Sequence, residues 1–268
     1  MKPVKRPPFQ GRTEPMKNLK DRMKKRELTI GSWVTFSDPA VAEIMARAGF
    51  DWLTLDMEHS GLSTSQAQEI IRVIDLCGVP PLVRVMENHP EMLKRYMDMG
   101  AHGVIVPFVN SKEDAQKAVK AVKYPPAGTR GVGLARAQRY SLDLETYRRW
   151  NQENSIVIVQ IEHVRAVENL EAIMDVEGVD GMIIGPYDLS SSMGCPGQFD
   201  HRDFKDALQD IYRRSRSRNY LLGHHVVTPD LEKLRESIGL GARFVGFGTD
   251  FLFLGESCKT ALRDVKKP

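Results

Sequence analysis

Eight short apolar runs, most of them rich in β-branched residues, recur along this chain with helical stretches between them. They cover residues 29 to 34 (TIGSWV), 51 to 56, 81 to 85, 103 to 106 (GVIV), 156 to 161, 181 to 184, 221 to 227 and 244 to 247. A strand buried on both faces reads as a continuous apolar run, and strands alternating with helices build a parallel sheet. Eight such units predict an α/β fold, a single-domain (β/α)8 TIM barrel. That fold takes about 250 residues, and the chain has 268, so one barrel domain over residues 16–268 is expected. The segment PAVAEIMARAGF places Val41, Ile44, Met45 and Ala48 three and four apart and stops at Gly49, which predicts an amphipathic first crossover helix.

Residues 1–15, rich in proline and lysine, predict a disordered basic tail, and MKNLKDRMKKREL predicts a short helix leading into the first strand. Lysine and arginine crowd this end although the net charge is only +3. Such a run can touch RNA or another anionic surface. It lacks interleaved aromatic residues, and a solvated charge run is the ordinary case, so nucleic acid is not the expected partner. No internal stretch approaches the roughly 18 apolar residues of a membrane helix, and the N-terminus has no apolar leader core. A cytoplasmic location follows as the default. Cys77, Cys195 and Cys258 form no CxxC pair and leave an odd thiol, which argues against a disulfide framework or a thiolate zinc site.

Polar residues stand where the apolar runs give out: Asp56, Glu58 and His59 after DWLTLD, Arg84 in PPLVRV, Gln160 and Glu162 in IVIVQIE, Asp188 after GMIIGPYD. The C-terminal strand ends of a barrel surround one pocket, so these residues converge on an active site. Glu162 and Asp188 belong to neighbouring strands. Two adjacent carboxylates repel unless a cation or a proton lies between them, and a hard ion with oxygen ligands fits Mg²⁺ or Mn²⁺ better than zinc. The alternative is a salt bridge to basic neighbours. Arg84, planar and permanently charged, suits a carboxylate or a developing oxyanion; the alternative is an internal ion pair with Asp56 or Glu58. His59 stands in a loop over the mouth, and an imidazole is the side chain best suited to accept and return a proton within one turnover. Asp98, on the helix before the fourth strand, is a candidate to orient its ring. His89, His102, His201 and His224 have no such company. A Schiff-base aldolase needs a lysine aimed into the pocket, and no strand run contains one, so a metal-dependent enolate route is preferred. The GxG of Gly246 and Gly248 is a weak phosphate signal that close backbone packing explains as well.

Seven ordered segments resemble those of the metal-dependent class II pyruvate aldolases of the HpcH/HpaI type. They are GSW at 31–33, AGFDWLTLDMEH at 48–59, PLVRV at 81–85, DMGAHGVIVP at 98–107, YPPAGTRGVG at 124–133, QIE at 160–162 and GPYDLSSSMG at 185–194. The resemblance implies a barrel that cleaves or forms a carbon–carbon bond next to a 2-oxo acid, with pyruvate and an aldehyde as partners. It implies Glu162 and Asp188 as ligands of a divalent cation, Mg²⁺ or Mn²⁺ with Co²⁺ as a third candidate. Arg84 is then the enolate-stabilising arginine, His59 the base, Asp98 its paired carboxylate, Gln160 a pyruvate contact and Trp33 a wall of the acceptor pocket. Backbone amides around Gly185, Pro186, Tyr187 and Asp188 would receive the substrate carboxylate. A homohexamer with sites near subunit contacts is also implied.

The chain departs from the pattern after Gly133, which runs directly into LARAQRY where the family usually has a longer small-residue stretch. His163 replaces the more usual small hydroxyl or amide residue, and the tail has no family counterpart. The alternatives are a CoA-thioester lyase of the citrate lyase β-subunit or malyl-CoA type, an oxaloacetate decarboxylase using the same enolate, and a catalytically idle barrel that binds nucleic acid through its tail.

Overall fold

The structure, a computed structural model, describes residues 18–265; the basic tail over residues 1–15 lies outside the described residues. Eight parallel strands close a barrel in chain order. They are β1 (Thr29–Val34), β2 (Trp52–Asp56), β3 (Pro81–Arg84), β4 (Gly103–Val106), β5 (Ile156–Ile161), β6 (Gly181–Ile184), β7 (Leu222–Val226) and β8 (Phe244–Thr249). Each coincides with an apolar run of the sequence to within two residues. The helices of the first half are α1 (Leu19–Lys24), α2 (Pro39–Ala48), α3 (Thr64–Leu76), α4 (Pro90–Asp98), α5 (Lys112–Val122) and α6 (Leu144–Asn154). Those of the second half are α7 (Val164–Glu168), α8 (Leu170–Met174), α9 (Pro186–Ser192), α10 (Arg202–Ser217), α11 (Leu231–Leu240) and α12 (Asp250–Val265). No helix among the described residues is long and apolar enough to cross a membrane.

Alternation along the strands divides the core in two. Val34, Leu53, Leu55, Val83, Val104, Val159 and Ile184 face outward into the helix layer. Trp52, Leu82, Ile105, Ile156, Ile158, Ile183 and Phe244 fill the barrel, and Leu19 and Met23 of α1 join them. Trp52 and Phe244 stack with ring centroids 4.1 Å apart; an added Cβ at Gly31 would overlap the Trp52 indole, so β1 needs glycine there. Truncating any of these fully buried residues to alanine costs about 2–5 kcal/mol, which makes the barrel a rigid base for its mouth.

Helix α2 corrects the expected face. Its C-terminus is Gly49 at φ +108°, as a glycine stop requires. The residues buried against the sheet are Ala42, Met45 and Ala46, while Ile44 is 68% exposed and Ala48 is also exposed. Small alanines let the helix approach the strands closely, and this rotates the buried stripe away from Ile44.

Candidate active site

Asp56 and Arg84 end β2 and β3 directly opposite one another in the ladder. The guanidinium donates from Nε to Asp56 Oδ1 at 2.9 Å and from Nη2 to Oδ2 at 2.6 Å. Asp56 Oδ1 also accepts the backbone N–H groups of Glu58 and His59, each at 3.1 Å. One carboxylate therefore fixes both the arginine and the loop that carries the histidine. Burial works against the Asp56 charge, but Arg84 and the two amides outweigh it and hold the carboxyl below its ordinary value. The internal ion pair, open as an alternative in the sequence, is thus what the structure adopts. Among the described residues no acceptor is bonded to Arg84 Nη1, so one edge of the guanidinium is left for another anion.

Glu58 lies beside this pair. Its Oε2 is 3.3 Å from Arg84 Nε but is buried without a hydrogen bond, because the Nε–H is directed at Asp56. Burial pushes the Glu58 carboxyl up to about 7; Arg84 opposes the rise, and Asp56 and Asp188 add to it. His59 Nε2 is 3.7 Å from Glu58 Oε2, and its side chain is 62% exposed. The histidine therefore stands at the solvent edge of a buried carboxylate cluster.

Glu162 follows β5 and is 1% exposed. Its Oε1 accepts the Phe108 N–H at 2.6 Å and its Oε2 accepts from Gln160 Nε2. Phe108 sits at φ +50° in the turn after β4, a conformation that costs energy in a bulky residue and is held where the surroundings demand it. Burial raises the Glu162 carboxyl to about 7 against those two hydrogen bonds, and Glu58 and Asp188 push it further in the same direction. Gly185 makes this packing possible, since an added Cβ would lie 2.7 Å from Glu162 Oε2 and 3.0 Å from Gln160 Nε2.

Asp188 does not end a strand as the sequence suggested. It lies in the first turn of α9, behind Pro186. Of the four backbone groups expected to receive a carboxylate, Gly185 N–H donates to Ile161 O at 3.1 Å and Pro186 has none. The first-turn amides of Tyr187 and Asp188 are the donors that remain.

Trp33 is 2% exposed and lies beneath the arginine, with the guanidinium carbon 4.5 Å from its ring centroid. It is a support under the site more than an open wall. The Trp33 ring also meets His225 at a tilt of 42°, with ring centroids 4.9 Å apart. Glu58 was among the strand-end residues expected at the site, and His225 is the residue the sequence did not reveal as a member of it. The LGHHV run offers no local sign that its second histidine enters the barrel.

Asp98 is not brought to His59 within one chain, which corrects the expected pairing. A helix in this fold runs back along the barrel, so the C-terminal residue of α4 lies beside the beginning of β4, at the end opposite the mouth. There Asp98 accepts from Arg130 Nη2 at 2.5 Å and from Gln138 Nε2 at 3.2 Å.

The donors at the mouth fit a hard divalent cation. Glu162, Glu58 and Asp188 repel one another, Gln160 Oε1 is buried without a partner, and all are oxygen donors. Among the described residues no three His, Cys, Asp or Glu side chains gather closely enough to enclose an ion. The arrangement suits an ion held by two carboxylates and completed by oxygens of small molecules, as Mg²⁺-like ions are.

Comparison with known proteins agrees with this geometry. The model of the HpcH/HpaI aldolase/citrate lyase family matches residues 29–255. The chain belongs to this family. It is 37% identical over 247 residues to a hydroxypyruvate/pyruvate aldolase of Pseudomonas aeruginosa, with 91% of each chain covered. It is 34% identical over 241 residues to the 2-keto-3-deoxy-L-rhamnonate aldolase of Escherichia coli K12, with 89% of each covered. Among solved structures, an HpcH/HpaI aldolase/citrate lyase family protein from Burkholderia cenocepacia J2315 superposes with a TM-score of 0.88 at 30% identity, over 94% of this chain and 100% of the other. The protein is accordingly an aldolase, a carbon–carbon lyase acting on small molecules. The CoA-thioester alternative is not favoured. Family membership also implies dependence on a divalent metal.

Proposed function

We propose that this aldolase cleaves 4-hydroxy-2-oxo acids to pyruvate and an aldehyde, and runs the reverse addition, at the site built from Glu162, Asp188, Arg84 and His59. The observation that carries the reading is the pairing of a buried carboxylate cluster, two members of which are raised to about 7, with a guanidinium clamped at its edge by Asp56. Among the described residues no strand carries a lysine, so an enolate rather than a Schiff base fits the site.

Glu162 and Asp188 would hold the cation, with Mg²⁺ and Mn²⁺ the preferred ions and Co²⁺ a third candidate. When bound, it polarises the ketone and carboxylate oxygens of the 2-oxo acid as a Lewis acid. Gln160 contacts the pyruvate portion, and the Tyr187 and Asp188 amides receive the carboxylate beside Gly185 and Pro186. Arg84, with one edge engaged by Asp56, presents Nη1 to the oxygen on which charge develops. His59 takes the proton of the 4-hydroxyl as the C3–C4 bond breaks. Its exposure suits a group that exchanges protons with solvent between turnovers.

One feature extends the reading beyond one chain. Asp98 and His59 lie at opposite ends of their own barrel, so their pairing is available only between different copies, as in the homohexamer the resemblance implies. A cytoplasmic location agrees with reduced, scattered cysteines. The names of the relatives point to hydroxypyruvate and to deoxygenated sugar acids as substrates to try first. Coupled pyruvate-release assays across a panel of 4-hydroxy-2-oxo acids, with Mg²⁺, Mn²⁺ and Co²⁺ supplied separately after chelation, test the proposal. Pyruvate release dependent on added metal is expected; a covalent pyruvate adduct trapped by borohydride would overturn it.

A further inference from the structure

His224 and His225 are consecutive on β7 and face opposite layers. His224 turns toward the helices, where its Nδ1 is 3.1 Å from Tyr212 Oη. His225 turns into the barrel. β1 and β7 are not neighbours, since β8 lies between them, yet the rings of Trp33 and His225 touch. They meet because β8 carries Gly246 at the intervening position, paired with Gly31 on one side and His225 on the other. A Cβ there would lie 2.8 Å from Trp33 Nε1 and 3.3 Å from His225 Cδ2. The β1–β8 register also shifts between Gly31 and Trp33, and such an irregularity re-aims a side chain.

The buried Trp33 Nε1 has no hydrogen-bond partner. No polar contact therefore orients the indole, and its tilt is set by what packs on it. The Arg84 guanidinium lies over the indole, 4.5 Å from its centroid, and the His225 ring meets the indole at a tilt of 42°. Asp56 holds the edge of the guanidinium but not its plane, and the indole supplies the surface on which that plane rests. His225 Nε2 is likewise buried and unpartnered. Burial first, and then Arg84, hold this imidazole down at about 3, so it adds no positive charge behind the arginine.

We propose that His225 is a positioning residue for Arg84: across the gap left by Gly246 its ring holds the Trp33 indole, and through it the plane of the guanidinium. The proposal rests on the role given to Arg84 under Proposed function. Removing the ring frees the indole to tilt into the space it leaves, whereas a methyl added at position 246, 2.8 Å from Trp33 Nε1, pushes the indole away from that side. Both changes should displace the guanidinium without touching the carboxylates that hold the cation.

The test uses the full-length chain with His225→Ala and, independently, Gly246→Ala. The Nε–H resonance of Arg84, assigned through Arg84→Lys in ¹⁵N-arginine-labelled protein, lies in the ring current of Trp33. It should move in both variants. With metal saturating, kcat for pyruvate release should fall by about tenfold or more, as misplacement of a reacting group does, while the metal concentration needed for half-maximal activity stays constant. An unmoved resonance in a folded variant overturns the proposal, and so does a moved resonance with wild-type kcat. If the resonance moves but the wild-type protein itself releases no pyruvate, the functional reading fails and the structural link from His225 to Arg84 stands.

Discussion

Arg84 and Asp56 face each other in register on adjacent strands, and two hydrogen bonds of 2.9 and 2.6 Å lock guanidinium to carboxylate in a side-by-side fork. A lysine ammonium cannot reproduce that fork or lie flat on the Trp33 ring. Arg84→Lys is therefore expected to lower kcat by more than about tenfold, in line with the loss of one preorganised oxyanion donor. Metal binding should be retained. Steady-state kinetics with metal titration checks this, and an unchanged kcat would assign Arg84 a structural role alone.

The Glu162 carboxyl, raised to about 7 by burial and by the neighbouring carboxylates, is a destabilising charge in the metal-free protein above neutral pH. Glu162→Gln removes that charge and also the ligand. At pH 8 the metal-free variant is expected to melt at or above the wild-type temperature, yet to gain nothing from added cation. The wild-type protein should gain about 2.7 kcal/mol at a cation concentration 100 times Kd. Thermal melts with and without chelator measure both arms. An equal metal-induced rise in the two proteins would place the ion elsewhere.

The strands were legible because a parallel strand buried on both faces leaves a short apolar, β-branched run, and eight such runs alternate with helical stretches. Glu162 and Arg84 were legible for the same reason, as polar residues ending such runs. Helix direction, by contrast, is a property of the assembled fold. Asp98 is near the fourth strand in sequence, but the helix bearing it ends at the far side of the barrel. Whether Arg84 pairs with Asp56 or Glu58 depends on a ladder register that spacing does not specify. The contact of His225 with Trp33 depends on a missing side chain on a third strand, and no reading of β7 alone contains it.

The two histidines of β7 make the fold acid-sensitive. Burial holds His224 down at about 4 and, together with Arg84, His225 at about 3, against an ordinary value of about 6.5. In the unfolded chain both protonate as pH falls through about 6.5, whereas in the folded barrel they stay neutral until far lower pH. Unfolding then takes up protons, so stability is fully present above about 6.5 and declines as pH drops toward the folded values. Replacing His224 with leucine should flatten the fall in unfolding free energy between pH 6.5 and pH 4, by up to one proton's worth of slope. Urea denaturation at stepped pH reads the slope directly. Parallel curves for variant and wild type would mean that His224 is not a source of the acid sensitivity.

His59 offers a way to separate proton transfer from enolate chemistry. It stands at the exposed edge of the cluster, its ring 3.7 Å from Glu58, and its backbone N–H donates to Asp56. His59→Ala therefore leaves the Asp56–Arg84 fork and the Glu162 bonds in place. Cleavage of a 4-hydroxy-2-oxo acid requires removal of the hydroxyl proton, so that activity should fall by ~10²- to 10⁴-fold, the range for a general base. Oxaloacetate decarboxylation forms the same enolate by loss of carbon dioxide and has no hydroxyl to deprotonate. It draws on the cation and Arg84, and should survive far better. Both rates are to be measured on one preparation with its metal content verified, which controls for misfolding. Equal loss of the two activities would mean that His59 maintains the site or its metal affinity, and its assignment as the base would be withdrawn.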